Sequence, residues 1–305
     1  MKIFAGSTSI DFAKAVAFSA GVKLGSSERQ DFSDGEFIHK FNETVRGETV
    51  FLIQSTPPLV GNFYELLLMI DAAKRAGATN IVAVIPYLYG SRQDKKDEAR
   101  VPIGAAMNAK MLESAGVTQI VTMDLHADQI QGMFSIPVSH IYSSSVIIPY
   151  LKKLYDGLDI TVVSPDMGGS KRAKSYSQRL NSQMAICYKH RTKANQIGEM
   201  MVIGEVKDRH VIIVDDIADT AGTLCKAANM LIEKGALSVR AAVAHPVLSG
   251  EAVFKINESK IKELIVTDSI PIESGASKIK ILTVANLFAN VLKSINDGKS
   301  ISSVF

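Results

Sequence analysis

Seven short runs of apolar, largely β-branched residues punctuate the chain, at 50–54, 81–85, 120–123, 160–164, 211–214, 239–244 and 264–267. Most are apolar at consecutive positions, with no alternation. That is the pattern of parallel strands covered on both faces. Between them the apolar residues take helical spacing, at 64–76, 104–115, 143–154 and 224–234. Strand and helix alternate, so the pattern predicts an α/β fold, a mostly parallel sheet flanked by helices.

The order also repeats. Run 50–54, a loop, a helix, Ala76-Gly77-Ala78, a strand and Pro86 describe the first half. Run 211–214, a loop, a helix, Lys234-Gly235-Ala236, a strand and Pro246 describe the second. The prolines lie 160 residues apart and the glycines 158. Two tandem copies of one fold are the simplest account, and 305 residues suit two domains of roughly 150 each. The loops of the two copies differ: Ser55-Thr56-Pro57-Pro58 carries no acid, whereas three aspartates follow run 211–214.

Composition narrows the class. A chain 47% hydrophobic and 21% charged can bury a large core. Its formal charge of +3 gives no case for a nucleic-acid-coating surface. Cys187 and Cys225 have neither CxxC spacing nor a nearby His pattern, which argues against structural zinc or a disulfide framework and fits a reducing, cytoplasmic compartment. Residues 1–21 lack signal-peptide features, and no apolar run approaches the ~20 residues of a membrane span. Neither a membrane nor a nucleic acid is expected as a partner.

The chemistry concentrates at Asp215-Asp216-Ile217-Ala218-Asp219-Thr220-Ala221-Gly222-Thr223. Ligands of open α/β sheets sit beyond the carboxyl ends of strands, where this segment falls. Gly222 lets the backbone approach closely, Thr220 and Thr223 offer hydroxyls, and the following helix offers free N–H groups and the positive end of its dipole. That end suits a phosphate monoester. Asp215 and Asp216 would repel phosphate and need a sugar diol or a metal. A helix N-cap uses one Asp or Thr, and this segment has three Asp and two Thr. It is no Walker A loop; the nearest match, Gly298-Lys299-Ser300, has Lys at 293.

This segment resembles the phosphoribosyl pyrophosphate fingerprint shared by type I phosphoribosyltransferases and phosphoribosyl pyrophosphate synthetases (ribose-phosphate diphosphokinases). Four further segments resemble the synthetases in order and spacing: Arg92-Gln93-Asp94-Lys95-Lys96-Asp97, Asp124-Leu125-His126, Ser164-Pro165-Asp166-Met167-Gly168-Gly169 and Lys189-His190-Arg191-Thr192-Lys193-Ala194-Asn195. With Asp34-Gly35-Glu36 and Val45-Arg46-Gly47, the resemblance spans nearly the whole chain and points to the phosphate-activated class.

The resemblance implies two phosphoribosyltransferase-type domains. Residues 1–145 would make ATP and oligomer contacts, 146–290 would hold ribose 5-phosphate, and 291–305 would pack back on the first domain. It implies transfer of the ATP diphosphate to the 1-hydroxyl of ribose 5-phosphate, for nucleotide biosynthesis. It assigns ribose 5-phosphate to Asp215, Asp216, Asp219, Thr220, Ala221, Gly222 and Thr223. ATP falls to Phe32, Asp34, Gly35, Glu36, Arg92, Gln93 and Asp97, with Arg92 and Phe32 against adenine. His126 and Asp166 would hold Mg2+, and Lys189 and Arg191 would be the catalytic cations on a closing loop. Gly168-Gly169 gives backbone room for a diphosphate, with Lys171 and Arg172 close behind. The segment around Phe32 comes from a neighbouring subunit in the family, which implies a homo-oligomer, usually a hexamer. Phosphate and ADP are the implied effectors, with Thr44, Arg46, Lys96, Arg100, Gln131 and Ser302 or Ser303 available for them; Asp128 and His140 stand where some relatives have Ser and Asn.

Two other readings compete. A type I phosphoribosyltransferase would leave segments 92–97 and 124–126 without work. A non-catalytic regulatory subunit would be expected to have lost some of Lys189, Arg191, His126 and Asp166, all of which are present.

Overall fold

The computed structural model describes residues 1–189, 200–272 and 277–302. The chain forms two compact units, one of Met1–Tyr142, Ser269–Pro271 and Val284–Phe305, the other of Ser143–Asp268 and Ile272–Thr283.

The first unit opens with β1 (Lys2–Ala5) and α1 (Ile10–Ala20), then a hairpin of β2 (Ser27–Asp31) and β3 (Phe37–Phe41). There follow β4 (Thr49–Ile53), α2 (Val60–Arg75), β5 (Asn80–Ile85), α3 (Gly104–Ala115), β6 (Gln119–Met123) and β7 (Val138–Ile141). The main sheet is parallel throughout, in the order β1-β4-β5-β6-β7. Val50 and Leu52 of β4 pack with Leu66, Met69 and Ile70 of α2, while Phe51 and Ile53 are equally buried. Burial on both sides is why the run shows no alternation. The helix Ala285–Asn296 joins this unit, with Phe288 edge-on to Phe12 of α1 at 5.3 Å.

The second unit comprises α4 (Ser144–Leu154), β8 (Ile160–Ser164), α5 (Ser170–Leu180), β9 (Gln183–Lys189), β10 (Met200–Ile203), β11 (His210–Ala218), α6 (Gly222–Glu233), β12 (Ser238–Pro246), α7 (Ala252–Glu258), β13 (Ile261–Thr267) and β14 (Ile279–Leu282). Its sheet runs β10-β9-β8-β11-β12-β13-β14, parallel except for β9 with β10. Val211 and Ile213 face a core with Ala227, Ala228 and Leu231 of α6. Ile212 and Val214 face the other core, with Ile147, Leu151, Ala173 and Tyr176 of α4 and α5.

The repeat seen in sequence has its counterpart in β4-α2-β5 and β11-α6-β12. Gly77 and Gly235 follow corresponding helices with φ of +82° and +91°, a conformation that favours glycine.

Gly204, where the chain leaves β10, has φ of +115°, and a Cβ there would stand 2.8 Å from Ala185 Cβ and 2.9 Å from the Met184 carbonyl. Backbone cannot yield as a flexible side chain does. Gly204→Ala is therefore expected to cost about 2–4 kcal/mol, read as a lower denaturation midpoint.

Candidate functional site

The winding of the second sheet decides where a ligand goes. From β8 the chain moves outward to β9 and β10, then returns to β11 on the other side of β8 and moves outward through β12 and β13 to β14. β8 and β11 thus bracket a topological switch point, where connections leave in opposite directions and open a crevice beyond the carboxyl ends. The first sheet is ordered β1-β4-β5-β6-β7, without such a reversal. The acid-free loop 55–58 of the first copy therefore has no matching crevice at a switch point in its own sheet.

Asp166, Gly168 and Gly169 follow β8, and Asp215 to Thr223 issue from β11, so the structure brings these two sequence motifs to one rim. The acids are not in a loop as the sequence suggested. β11 continues through them, with Asp215 opposite Val243 and Ala218 opposite Pro246 on β12. Leu248 N–H also donates to the Ala218 carbonyl at 2.9 Å. The acid pair is consequently fixed by a β-ladder.

Asp216 is 5% exposed. Its N–H donates to Asp215 Oδ1 at 2.9 Å. Burial first, and the neighbouring Asp216 carboxylate second, push the Asp215 carboxyl well above the usual carboxylate range. Arg172 in the first turn of α5 opposes this. Its Nη1 donates to Asp216 Oδ1 at 3.2 Å and lies 3.7 Å from Asp215 Oδ1. The sequence placed Arg172 beside a diphosphate; the structure turns it to the acid pair.

Beyond the acids, Ala221 adopts φ of +56° and swings the chain into α6, which starts at Gly222. Among the described residues no side chain caps that helix. Its first N–H groups, with the exposed Thr220 and Thr223 hydroxyls, form a place for an anion. On the other side of the crevice, Gly169 N–H donates to Asp166 Oδ1 at 3.0 Å, and Ser164 Oγ donates to the Asp166 carbonyl at 2.7 Å. A Cβ on Gly169 would stand 2.7 Å from Ser164 Oγ, so this turn needs glycine for closeness. Asp166 itself is exposed, an oxygen donor of the kind magnesium prefers.

Lys189 closes β9, its backbone opposite Met200. The Lys189 side chain and all of Arg191 lie outside the described residues. Cys187, two residues earlier, is buried, and burial pushes its thiol up to about 11. It is not a thiolate nucleophile near neutral pH.

In the first unit, Phe32, Asp34, Gly35 and Glu36 form the exposed tip of the β2–β3 hairpin, closed by Phe32 N–H to the Glu36 carbonyl at 2.8 Å. Arg92, Gln93 and Asp97 lie on an exposed loop after β5. Gln93 is held by its backbone to Gly90 and Ala105, and its amide abuts Gly104, where a Cβ would approach to 2.4 Å. His126 is exposed after β6. Asp128 lies 3.8 Å from His140 Nδ1. His140 Nε2 accepts from Leu125 N–H at 2.9 Å.

One buried cluster leaves no mark in the sequence pattern. Glu65 on α2 is fully buried and accepts from Ser7 N–H at 3.0 Å and Gln54 Nε2 at 3.2 Å. Arg29 Nη1 and His39 Nδ1 of the hairpin stand 3.5 and 3.6 Å from its carboxylate. Arg29 also lies over the Phe37 ring at 3.7 Å. These contacts fix the root of the hairpin whose tip carries Phe32.

Comparison with known proteins agrees along the whole length. Residues 1–116 match the family model described as the N-terminal domain of ribose phosphate pyrophosphokinase, and 189–305 match the phosphoribosyl synthetase-associated domain. The chain is 49% identical over 303 residues to a ribose-phosphate pyrophosphokinase of Porphyromonas gingivalis, covering 99% of this chain and 97% of that one. It is 44% identical over 310 residues to ribose-phosphate pyrophosphokinase A of Dictyostelium discoideum, covering 100% and 98%. The crystal structure of phosphoribosylpyrophosphate synthetase from Mycobacterium smegmatis superposes with a TM-score of 0.93 at 36% identity, covering 97% of this chain and 99% of that one.

Proposed function

This chain belongs to the ribose-phosphate pyrophosphokinase family, and from that premise we infer that it moves the diphosphate of ATP, in one piece, onto the 1-hydroxyl of ribose 5-phosphate, giving AMP and 5-phosphoribosyl 1-diphosphate. The observation that carries this reading is the acid pair fixed in β11, followed directly by an uncapped helix N-terminus at the switch point. A pentose phosphate has a diol at one end and a phosphate at the other, in the order the strand and helix offer them.

The sugar phosphate lies on Asp219, Thr220, Ala221, Gly222 and Thr223, and the diol on Asp215 and Asp216. Phe32, Asp34, Gly35, Glu36, Arg92, Gln93 and Asp97 bind ATP. The 1-hydroxyl attacks the β-phosphorus in line and AMP departs. Its proton leaves late, because a loose transition state needs little early deprotonation. Lys189 and Arg191 neutralise charge on the β-phosphate and the leaving oxygen. His126 and Asp166 would hold Mg2+, which would supply further neutralisation of the phosphates.

The working state is a homo-oligomer, a hexamer by the family's habit, in the cytoplasm, with phosphate and ADP as effectors. Among the described residues no helix is long and apolar enough to cross a membrane. The deciding assay combines the protein with ATP, magnesium, phosphate and ribose 5-phosphate. AMP should appear in step with 5-phosphoribosyl 1-diphosphate. Formation of ADP in its place, or no product at saturation, would refute the reading.

A further inference from the structure

The β2–β3 hairpin is a two-stranded sheet of its own, apart from the main sheet of its unit. Two strands alone are marginally stable in water. Strand β2 reads SERQD, so it has no apolar side chain to bury. One face of the hairpin carries Arg29 and Asp31 opposite His39 and Phe37, while Glu28, Gln30, Ile38 and Lys40 of the other face are exposed. At the root, Phe41 packs edge-on to Phe4 at 4.6 Å. Nearer the tip the grip is Arg29, with Phe37 edge-on to Tyr64 of α2 at 5.7 Å. Arg29 Nη1 stands 3.5 Å from the fully buried Glu65 carboxylate. Its Nε and Nη2 donate to Asp31 Oδ1 at 2.8 and 2.6 Å, and its guanidinium plane lies 3.7 Å over the Phe37 ring. Asp31 and Phe37 are paired across the hairpin and flank the tip 32–36. Arg29 therefore holds both sides of the tip, and Glu65, on a core helix, holds Arg29. Burial raises the Glu65 carboxyl, but its contacts with His39 and Ser7 more than offset this and leave it below the usual carboxylate range, so it faces Arg29 as an anion.

We propose that Arg29 is a positioning residue for ATP: it locks the tip of the β2–β3 hairpin to the buried Glu65, so that Phe32 and its neighbours meet the nucleotide already in place. The inference rests on the assignment of that tip to ATP made above. A tip that is in place for only a fraction of the time binds with an affinity lowered by that fraction. Holding it beforehand removes the ordering cost from the binding step. The three contacts of Arg29 use three properties of a guanidinium at once: a lasting charge towards Glu65, a fork of donors towards Asp31 and a flat face on Phe37. An ammonium has the first and lacks the other two. Arg29 lies below the tip, so it acts on ATP through Phe32, Asp34, Gly35 and Glu36 without touching the nucleotide. The sugar site is built on β11 and α6, outside this unit, and its affinity for ribose 5-phosphate does not depend on Arg29.

The test compares wild type, Arg29→Met, Arg29→Lys, Phe32→Ala and the double variant Arg29→Met/Phe32→Ala as full chains. Steady-state kinetics are run against ATP and against ribose 5-phosphate, each with the other substrate saturating. Arg29→Met should raise the KM for ATP about tenfold, with kcat and the KM for ribose 5-phosphate within about twofold. Arg29→Lys keeps the charge opposite Glu65, so it should fold even if Arg29→Met does not. It should raise the KM for ATP about threefold, because the fork and the flat face are lost. Phe32→Ala should raise the same KM about tenfold. If Arg29 acts through the tip, the double variant should lose little more than the larger single loss. Multiplied losses in the double variant, an ATP KM unchanged in both Arg29 variants, or an equal rise in the KM for ribose 5-phosphate overturns the proposal. Phe32→Ala separates the two layers of inference. If it leaves the KM for ATP unchanged, the nucleotide does not sit at the tip, and the reading of that site falls together with this one. If it weakens ATP while the Arg29 variants behave as wild type, only the role of Arg29 falls.

Discussion

Lys189→Ala is expected to lower turnover by about three orders of magnitude while the affinity for ribose 5-phosphate changes by less than about twofold. The reason lies in the reaction. Transfer of a diphosphate asks little covalent help of a protein; it asks for alignment and for neutral surroundings as charge moves to the leaving oxygen. A cation that engages only that developing charge contributes to the transition state and not to binding of the sugar, so its loss appears in turnover. The backbone of Lys189 is anchored, since it ends β9 in register with Met200. Its replacement should leave the β8–β11 crevice and the acid pair unaltered. Single-turnover chemistry with saturating ATP, set beside calorimetric binding of ribose 5-phosphate, makes the distinction. Near-normal turnover would remove Lys189 from the mechanism. Equal losses of turnover and sugar affinity would mean that it belongs to the ground-state binding site.

Parts of this architecture were legible in the sequence, and the reason is burial. Runs such as 50–54 and 211–214 are strands covered on both faces, and a short, β-branched, largely apolar run without alternation is the mark such strands leave. The β2–β3 hairpin was not legible. Ser27–Asp31 reads SERQD, largely solvent-facing, and gives no hydrophobic period to detect. The aspartates predict an end to β11 at 214, because aspartate is depleted in strands. Pairing with β12 overrides that preference and carries the ladder to Ala218. Arg172 shows a different limit. A cation early in a helix after two glycines suggests a phosphate ligand, while its partners Asp215 and Asp216 lie 43 and 44 positions away. Only the adjacency of β8 and β11 brings them together. Glu65 was hidden in the same way. Within α2 it passes for an ordinary polar position, and its burial follows from Ser7 and Gln54, which come from two other segments.

Asp215→Asn should make the ligand-free protein more stable and nearly unable to bind its sugar. The carboxyl of Asp215 is pushed up by burial and by Asp216. Between the ordinary carboxylate value, about 4, and its higher value in the fold, the native state holds more protons than the unfolded chain. Stability must therefore fall as pH rises through that window, and the loss remains above it. Asparagine has no proton to lose, so this slope should vanish. Arg172 keeps Asp216 as its partner at 3.2 Å, which prevents the variant from stranding a cation. The expected gain is roughly 1 kcal/mol near neutral pH, or about 2–4 °C in the unfolding midpoint for units of this size. The loss of a charged acceptor for the diol should weaken ribose 5-phosphate by about 100-fold. Thermal unfolding from about pH 4 to pH 8, with and without the sugar phosphate, reads both effects. On acidification towards the ordinary carboxylate value the stability difference between variant and wild type should shrink, and only wild type should gain stability from the sugar. A variant that melts lower at neutral pH would mean that the Asp215 carboxylate supports the fold. If the variant melts higher and has lost the sugar, the repulsion between Asp215 and Asp216 is a cost the native chain carries for the sake of the diol.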